Sequence, residues 1–319
     1  MKKLLPLLSV LFLISIGLSQ SRVNVKTMTI KRYKYIDEKF GEYNFEKEPY
    51  LIQKDTYDVK GNLTERLYTN SDGQIIDSLK SYKYQSFGKS TYKYDENNNL
   101  IISNDIKSDG TIKRKEKYSY NSKNQVLSVL IEVLGGDNVF RHDYTYNEFD
   151  SLKTVDYFTE PSTLVGRQTK KYDSSKNVVE LIQYKGDGSI MYKYKSSYNE
   201  ENKLLKEVKY DSDGLLTDIT EFDYDSLGRK IKHSSSWVFQ SKLLPLVGYY
   251  YKYDNNGNII EINGFNEDPI YESLGLTKKI MTFNSENREI ERLIGELTNK
   301  FGGDTFEPSE KYIYEYKFY

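Results

Sequence analysis

The stretch Tyr251-Lys-Tyr-Asp-Asn-Asn-Gly-Asn-Ile259 contains the pattern that organises the whole chain. A Tyr-x-Tyr-Asp group is followed by a short polar turn and then by an apolar residue. The tyrosine before the Asp, here Tyr253, has counterparts at Tyr57, Tyr94, Tyr120, Tyr146, Tyr172, Tyr198 and Tyr224, with Phe283 as a degraded copy. The five steps from Tyr94 to Tyr224 are each 26 residues long. A fixed period of this length predicts an array of stacked structural repeats.

Each repeat contains two predicted turns. The fourth position after the tyrosine is mostly Gly or Asn, the residues that tolerate positive φ; it is occupied by Gly61, Asn98, Asn124, Asp150, Lys176, Asn202, Gly228 and Gly257. About half a repeat later there is a second turn signal, most often Asp-Gly, which favours a hairpin. It occurs at Asp72-Gly73, Asp109-Gly110, Gly135-Gly136, Asp187-Gly188, Asp213-Gly214 and Asp268-Pro269. Each repeat is therefore predicted to be strand, turn, strand, turn.

The predicted fold class is all-β, a long antiparallel meander of about 26-residue two-strand repeats with something near twenty strands. Wide sheets twist and do not stay flat. Apolar residues on both faces of one strand, such as Leu204 and Leu205, also favour curling. We expect a spiral or an open barrel-like sheet. The expected domains are a signal peptide (1–19), an N-terminal lead-in and cap (20–50) with a first strand at Tyr33-Lys-Tyr35, and a repeat domain with a C-terminal cap (51–319).

The amino-terminal segment has the pattern of a secretory signal. Lys2 and Lys3 precede an uncharged apolar run from Leu4 to Leu18. The small residues Gly17 and Ser19 have the spacing that a signal peptidase prefers, so we predict cleavage after Ser19. The apolar run is shorter than the ~20 residues needed to span a bilayer. We therefore expect a secreted, periplasmic or cell-surface protein with no integral membrane span after cleavage. The sequence has no cysteine, which excludes a lipid-modified cysteine, disulfides and thiolate metal ligands.

Composition indicates a folded chain with no affinity for nucleic acid. The mean hydropathy of −0.71 and the 29% of charged residues are values that occur in disordered chains. However, there are 31 Tyr and 14 Phe against 6 Pro, and tyrosine is a strong strand former with a large apolar body. The 46 basic and 47 acidic residues balance, so nothing attracts the chain to nucleic acid or to an anionic membrane.

The Tyr-x-Tyr pairs place two rings on one face of a strand, because side chains alternate with period two. Successive repeats should align these rings in rows across the sheet. We expect packing between strands to be their main role; a platform on which a ligand stacks is the alternative. The pairs are Tyr92/Tyr94, Tyr118/Tyr120, Tyr144/Tyr146 and Tyr251/Tyr253.

Three segments depart from the period and are longer than the rest: 233–250, 264–280 and 292–310. Insertions in repeat proteins map to loops that often carry the binding face. The first contains the only tryptophan, and from it we take the candidate ligand-binding residues Trp237, Phe239, Tyr249 and Tyr250. The simpler hypothesis, that these residues only cap the end of the sheet, stays open.

No catalytic or metal-binding motif is present. The two histidines, His142 and His233, lie in different repeats without a Ser-His-Asp order or a zinc-ligand spacing around them. Asp254-Asn-Asn-Gly257 lacks the ligand ladder of a calcium loop. We expect no enzyme activity, no metal and no cofactor.

Tyr57-Asp58-Val-Lys-Gly61-Asn-Leu63 and Tyr224-Asp225-Ser-Leu-Gly228-Arg229 resemble the YD repeat of the Rhs family. The resemblance extends from about Tyr57 to Phe283. It implies a spiralling antiparallel sheet and an extracytoplasmic setting, as in secreted bacterial toxins and cell-surface adhesion proteins. Within this sequence we recognise no toxin domain and no core domain of that family.

The leading functional hypothesis is a non-enzymatic exported scaffold of the cell envelope that binds a polysaccharide or an extracellular protein. The alternative is an outer-membrane β-barrel, because Tyr312-Ile-Tyr-Glu-Tyr-Lys-Phe-Tyr319 alternates aromatic residues like a last barrel strand. Charges on both faces of many strands count against lipid contact. A carbohydrate-active enzyme is a third hypothesis.

Overall fold

The computed structural model describes residues 24–39, 41–77, 79–80, 85–86, 88–134, 138–149, 151–159, 162–239, 242–244, 247–266, 276–300 and 303–319. The predicted signal segment lies outside these residues, and so do three predicted turn positions, Asp150, Gly135-Gly136 and Asp268-Pro269. No helix in the described part of the chain is long and apolar enough to cross a bilayer.

The described residues form 24 strands. They are β1 (Val25–Lys39), β2 (Glu42–Phe45), β3 (Leu51–Tyr57), β4 (Leu63–Thr69), β5 (Leu79–Lys80), β6 (Gln85–Ser86), β7 (Lys89–Tyr94), β8 (Leu100–Ile106), β9 (Ile112–Tyr120), β10 (Val126–Val133), β11 (Asn138–Tyr146), β12 (Leu152–Thr159), β13 (Thr163–Tyr172), β14 (Val178–Lys185), β15 (Ile190–Tyr198), β16 (Leu204–Asp211), β17 (Leu216–Tyr224), β18 (Lys230–Phe239), β19 (Lys242–Leu243), β20 (Val247–Tyr253), β21 (Ile259–Asn266), β22 (Leu276–Phe283), β23 (Glu289–Lys300) and β24 (Gly303–Phe318).

Twenty of these described strands, all except β2, β5, β6 and β19, form one closed ring. Each strand pairs antiparallel with the next along the chain, and β1 closes the ring because it pairs with both β3 and β24. At the seam, Lys31 lies opposite Ile52 on one side and Ile313 on the other. The all-β meander and its curling are confirmed. The expected spiral or open sheet is corrected to a closed barrel, and the predicted lead-in supplies the closing strand.

The predicted turns lie where the repeat places them. Every described residue at the fourth position after the motif tyrosine has positive φ, including Asn98, Asn124 and Lys176. In the first of these turns, one carboxylate oxygen of Asp95 accepts hydrogen bonds from the backbone N–H groups of Asn97 (2.9 Å) and Asn99 (2.8 Å). The amide of Asn99 then donates to Asn124 in the next turn (3.0 Å). The motif aspartate therefore shapes its own turn, and the asparagines join successive turns along one rim.

A register shift occurs at the motif tyrosine in successive repeats. The pairing of β15 with β16 shifts between Ser197 and Tyr198, so that Tyr198 lies opposite Leu204. Leu205 then shares a face with Glu207, whereas Val208 lies on the other face. This irregularity explains why apolar residues occur on both faces of the strands in sequence.

The inner face of the barrel follows from burial. In β3, Leu51, Asp55 and Tyr57 are fully buried whereas Lys54 between them is exposed. The cross-strand register carries this alternation around the ring and assigns an inner and an outer face to each strand. The Tyr-x-Tyr pairs face inward.

The motif tyrosines link neighbouring strands through hydrogen bonds of their hydroxyl groups. The hydroxyl of Tyr120 donates a hydrogen bond to the carbonyl of Leu100 on the adjacent strand (2.7 Å). The same bond to the carbonyl twenty residues earlier is made by Tyr146 (2.8 Å), Tyr172 (2.6 Å), Tyr198 (2.9 Å) and Tyr224 (2.9 Å). The recurring tyrosine is therefore a structural residue, as the packing hypothesis expects.

Candidate functional site

The four predicted site residues do not form one cluster. Trp237 and Tyr249 lie on the inner face, and Tyr250, the next residue along β20, lies on the outer face. Phe239 ends β18, opposite Lys242 of β19, and the placement of its side chain is not described. The structure therefore splits the predicted site between the two sides of the wall.

An aromatic row crosses three neighbouring strands on the inner face. It consists of Phe222 (β17), His233 (β18) and Tyr249 (β20), which are partners in the cross-strand register. The rings of Phe222 and His233 are stacked, with centroids 5.0 Å apart and planes 6° apart. The centroids of His233 and Tyr249 are 6.3 Å apart, with planes 30° apart. We call these three residues the lumenal aromatic row.

The lumenal aromatic row is accessible to solvent at one end, at Tyr249. Tyr249 has 38% of its surface exposed although it lies four residues inside the strand end at Tyr253, and Trp237, four residues from His233 on the same face, has 45% exposed. Gly264, the register partner of Tyr249, leaves one side of its ring without a facing side chain. Phe222 and His233 are half-buried and cover each other's faces, so the surface available to a sugar ring is the side of Tyr249 above Gly264, together with Trp237. A sugar ring stacks on such a surface because both rings have apolar faces.

The row also has a positive neighbour. Lys230 Nζ lies 5.8 Å from the ring centre of Phe222 and 4.7 Å from that of Tyr251. Burial lowers the pKa of Lys230 and, together with the charge of Lys230, that of His233. A lowered pKa favours the neutral form of His233, so the imidazole acts as an aromatic surface at neutral pH.

Buried charges occur elsewhere on the inner face. The guanidinium of Arg66 donates two hydrogen bonds to Asp55, at 2.8 and 2.7 Å, and Arg292 donates two to Glu289, both at 2.7 Å. Two parallel bonds of this type are strong and hold the side chains in place. Sequence reasoning missed these pairs, because Asp55 and Arg66 are eleven residues apart and have no motif around them.

The outer face carries exposed ion pairs around the ring. They include Lys31–Glu315, Lys89–Glu65, Lys117–Glu132, Arg167–Asp156, Lys171–Glu180, Lys206–Glu221 and Lys252–Glu261. Tyr250 belongs to this face, where its ring lies 4.6 Å from that of Phe265 and Lys232 lies over both. The outer wall is therefore polar, with a few aromatic residues next to cations.

No group of three or more potential metal ligands occurs among the described residues. His142 lies on the inner face with its ring 4.8 Å from that of Tyr157, edge to face. Burial lowers the pKa of His142 and raises that of Tyr157 to about 12. Both side chains are uncharged at neutral pH, and their contact is one of packing.

No protein-family model matches this sequence, and no curated protein matches it. The resemblance to the YD repeat therefore stays a prediction from the motif.

Three solved structures illustrate what the chain is similar to in shape. A porin-like protein from Bacteroides uniformis has a TM-score of 0.38 and 9% identity, over 92% of this chain and 98% of that one. A porin-like protein from Bacteroides vulgatus has a TM-score of 0.26 and 10% identity, over 76% of this chain and 92% of that one. The Photorhabdus luminescens Tc holotoxin pore has a TM-score of 0.26 and 13% identity, over 88% of this chain and 17% of that one. Scores this low identify neither a family nor a function.

Proposed function

We propose that this protein is a cell-envelope β-barrel whose lumen binds a polysaccharide chain. The observation that carries the proposal is the lumenal aromatic row, whose stacked rings end at the solvent-accessible Tyr249 on the inner wall of a closed ring. Twenty strands spaced ~4.8 Å apart give a perimeter of about 100 Å, which is enough to surround an extended sugar chain. The predicted signal peptide supports export to the envelope.

The closed ring fits the alternative hypothesis from the sequence, a β-barrel of outer-membrane type, better than it fits an open repeat scaffold. Outer-membrane barrels are closed antiparallel rings with an even number of strands and a polar interior. The twenty-strand ring and the inward Asp55 and Arg66 agree with this description. The second candidate function is therefore a barrel that spans the outer membrane and admits polar solutes.

The charges on the outer wall distinguish a barrel that is surrounded by water from one that spans a membrane. Lys117–Glu132 and Lys206–Glu221 are ion pairs that project outward from within the strands. A Lys or Arg on the lipid-facing surface of a barrel costs about 2–4 kcal/mol at the bilayer midplane. Many such charges would oppose insertion, so our proposal places the outer wall in water, at the envelope and outside the hydrocarbon layer.

Binding is tested with the purified protein on an array of neutral and acidic glycans. We expect selective binding that falls at least tenfold in Tyr249→Ala. Tyr250→Ala is the matched control, because Tyr250 is the same residue type on the same strand with a similar exposed fraction but faces outward. Absence of glycan binding, or an equal loss in both variants, would contradict the lumenal site.

Fractionation tests the setting of the barrel. Membranes from cells that express the protein are washed with high salt and then with alkaline carbonate. Release by these washes supports an outer wall in water. Retention until detergent is added would support the membrane-spanning candidate instead.

A further inference from the structure

Arg32 is the only arginine in the described part of the chain without a carboxylate partner. The others are paired: Arg66 with Asp55, Arg114 with Glu116, Arg141 with Asp143, Arg167 with Asp156, Arg229 with Asp225, Arg288 with Glu286 and Arg292 with Glu289. Nε of Arg32 is shielded from solvent and has no hydrogen-bond partner within the described residues. Desolvated donors are rarely left without an acceptor in folded proteins.

The position of Arg32 turns this guanidinium toward the lumen. Arg32 lies opposite Leu51 on one side and Tyr312 on the other, both on the inner face. Its Cζ is 4.9 Å from the ring centre of Tyr312, so the ring supports the guanidinium by a cation–π contact. Tyr312 is also the register partner of Arg292, whose charge is already neutralised by Glu289.

The acid opposite Lys34 on β24, Glu310, accepts hydrogen bonds from two tyrosines. The carboxylate of Glu310 accepts a hydrogen bond from the hydroxyl of Tyr50 on one oxygen and from the hydroxyl of Tyr312 on the other (2.7 Å). Both oxygens of Glu310 therefore have donors, and neither is bonded to Arg32.

A second cation lies beside Arg32. Lys34 is two residues further along β1 on the same face, about 6.6 Å away along the strand. It makes no ion pair with any described carboxylate, and its Nζ lies 5.3 Å from the ring centre of Tyr50. The inward-facing residues of β1 from Met28 to Lys34 and of β24 from Glu310 to Tyr316 therefore include two cations and one acid.

We propose that Arg32, assisted by Lys34, binds the carboxylate group of an acidic polysaccharide in the lumen. A guanidinium is a planar fork that matches a carboxylate with two parallel hydrogen bonds, and the ring of Tyr312 holds this fork flat. The inference rests on the proposed lumenal polysaccharide site and specifies the class of its ligand as a polymer that contains uronic acids.

The test compares two forms of one ligand. Oligogalacturonate and its methyl ester have the same sugar backbone, and only the free acid carries carboxylates. Titration calorimetry of the intact protein should give at least tenfold tighter binding of the acid form, the size expected when a charge-assisted hydrogen bond is lost. Arg32→Gln should abolish the preference and Lys34→Gln should reduce it. Lys34 is exposed, so the second variant remains informative if removal of Arg32 disturbs folding.

Arg141→Gln is the matched control. Arg141 also lies over an aromatic ring, with its Cζ 4.6 Å from the centre of Phe158, but it faces outward and pairs with Asp143. This variant should keep the preference. Equal binding of acid and ester by the unmodified protein, or a preference that survives both Arg32→Gln and Lys34→Gln, overturns the inference and leaves the proposed function standing. Failure of both forms to bind, together with an empty neutral array, overturns both.

Discussion

Lys31 Nζ lies 2.6 Å from Oε1 of Glu315, and this ion pair joins the first strand of the ring to the last. The hydrogen bond to Glu315 raises the pKa of Lys31, which keeps the lysine charged. An exposed pair of this kind contributes only ~0–1 kcal/mol. The ring is therefore held closed mainly by the ladder between β1 and β24, and closure removes the free strand edges through which sheets aggregate.

The seam can be tested with a disulfide. Thr29 and Glu315 are register partners on the outer face of β1 and β24, and adjacent strands bring Cα atoms within the range that a disulfide spans. Because the chain has no native cysteine, Thr29→Cys with Glu315→Cys should oxidise to a cross-linked monomer. We expect it to migrate faster than its reduced form on a denaturing gel.

The control for the seam pairs Thr29→Cys with Thr145→Cys on β11, which is distant around the ring. This pair should stay reduced within the monomer. Equal cross-linking of both pairs, or oxidation of the seam pair only to dimers, would contradict a closed ring.

The hydroxyl of Tyr172 should contribute measurably to stability. It donates to the carbonyl of Leu152 at 2.6 Å. Tyr172→Phe removes this partly buried hydrogen bond, so we expect the free energy of unfolding to fall by about 1 kcal/mol in urea titrations. Tyr192→Phe is the control, because the Tyr192 ring packs on Tyr194 and its hydroxyl makes no hydrogen bond to a neighbouring strand within the described residues. A similar loss in both variants would show that the bond to Leu152 is not the cause.

Lys176 has a φ of +66°, which lies in the left-handed region that is unfavourable for residues with a β-carbon. For a residue with a side chain this conformation costs roughly 1–2 kcal/mol. Glycine adopts it without that cost, although glycine loses more conformational entropy on folding. Lys176→Gly should therefore raise the free energy of unfolding by about 0.5–1 kcal/mol. Ser175→Gly in the same turn, where φ is not positive, should lower it. A loss of stability in Lys176→Gly would show that the lysine side chain makes a stabilising contact that outweighs the strain.

The sequence was sufficient to predict the strands and turns of this protein, because both are properties of each repeat. The 26-residue interval located the positive-φ positions at Asn98, Asn124 and Asn202. Closure could not be predicted, since it depends on the tilt and stagger of strands summed around the ring, and small errors per strand decide whether β1 meets β24. Tyr-rich strands with charges on both faces fit a spiral and a barrel equally well.

The sequence pointed to only some of the residues of the proposed lumenal site. The departure from the repeat period directed attention to Trp237 and Tyr249, which lie on the inner wall. The same segment contains Tyr250, but side chains alternate along a strand, so Tyr250 faces outward. Phe222 and His233 complete the row from neighbouring strands, and their register depends on the shift at Tyr224. No sequence pattern marks Arg32. What sets it apart is that it lacks the carboxylate partner that every other described arginine has, and only the structure shows this.

His142 should make stability depend on pH. Burial lowers its pKa below the ordinary value of 6.5, with Glu116 and Asp143 opposing this shift and Arg114 adding to it. A histidine whose pKa is depressed in the folded state binds its proton first in the unfolded state, so stability is lost as pH falls below about 6.5. Burial also raises the pKa of Asp105 and of Glu207, so other groups contribute to the pH dependence of stability. The readout is therefore the difference in free energy of unfolding between the unmodified protein and His142→Phe. This difference should be constant above about pH 7.5 and should shift against the unmodified protein at lower pH, by at most about 1.4 kcal/mol per pH unit. A difference that stays constant down to about pH 5 would mean that the imidazole is protonated equally easily in the folded and unfolded chains.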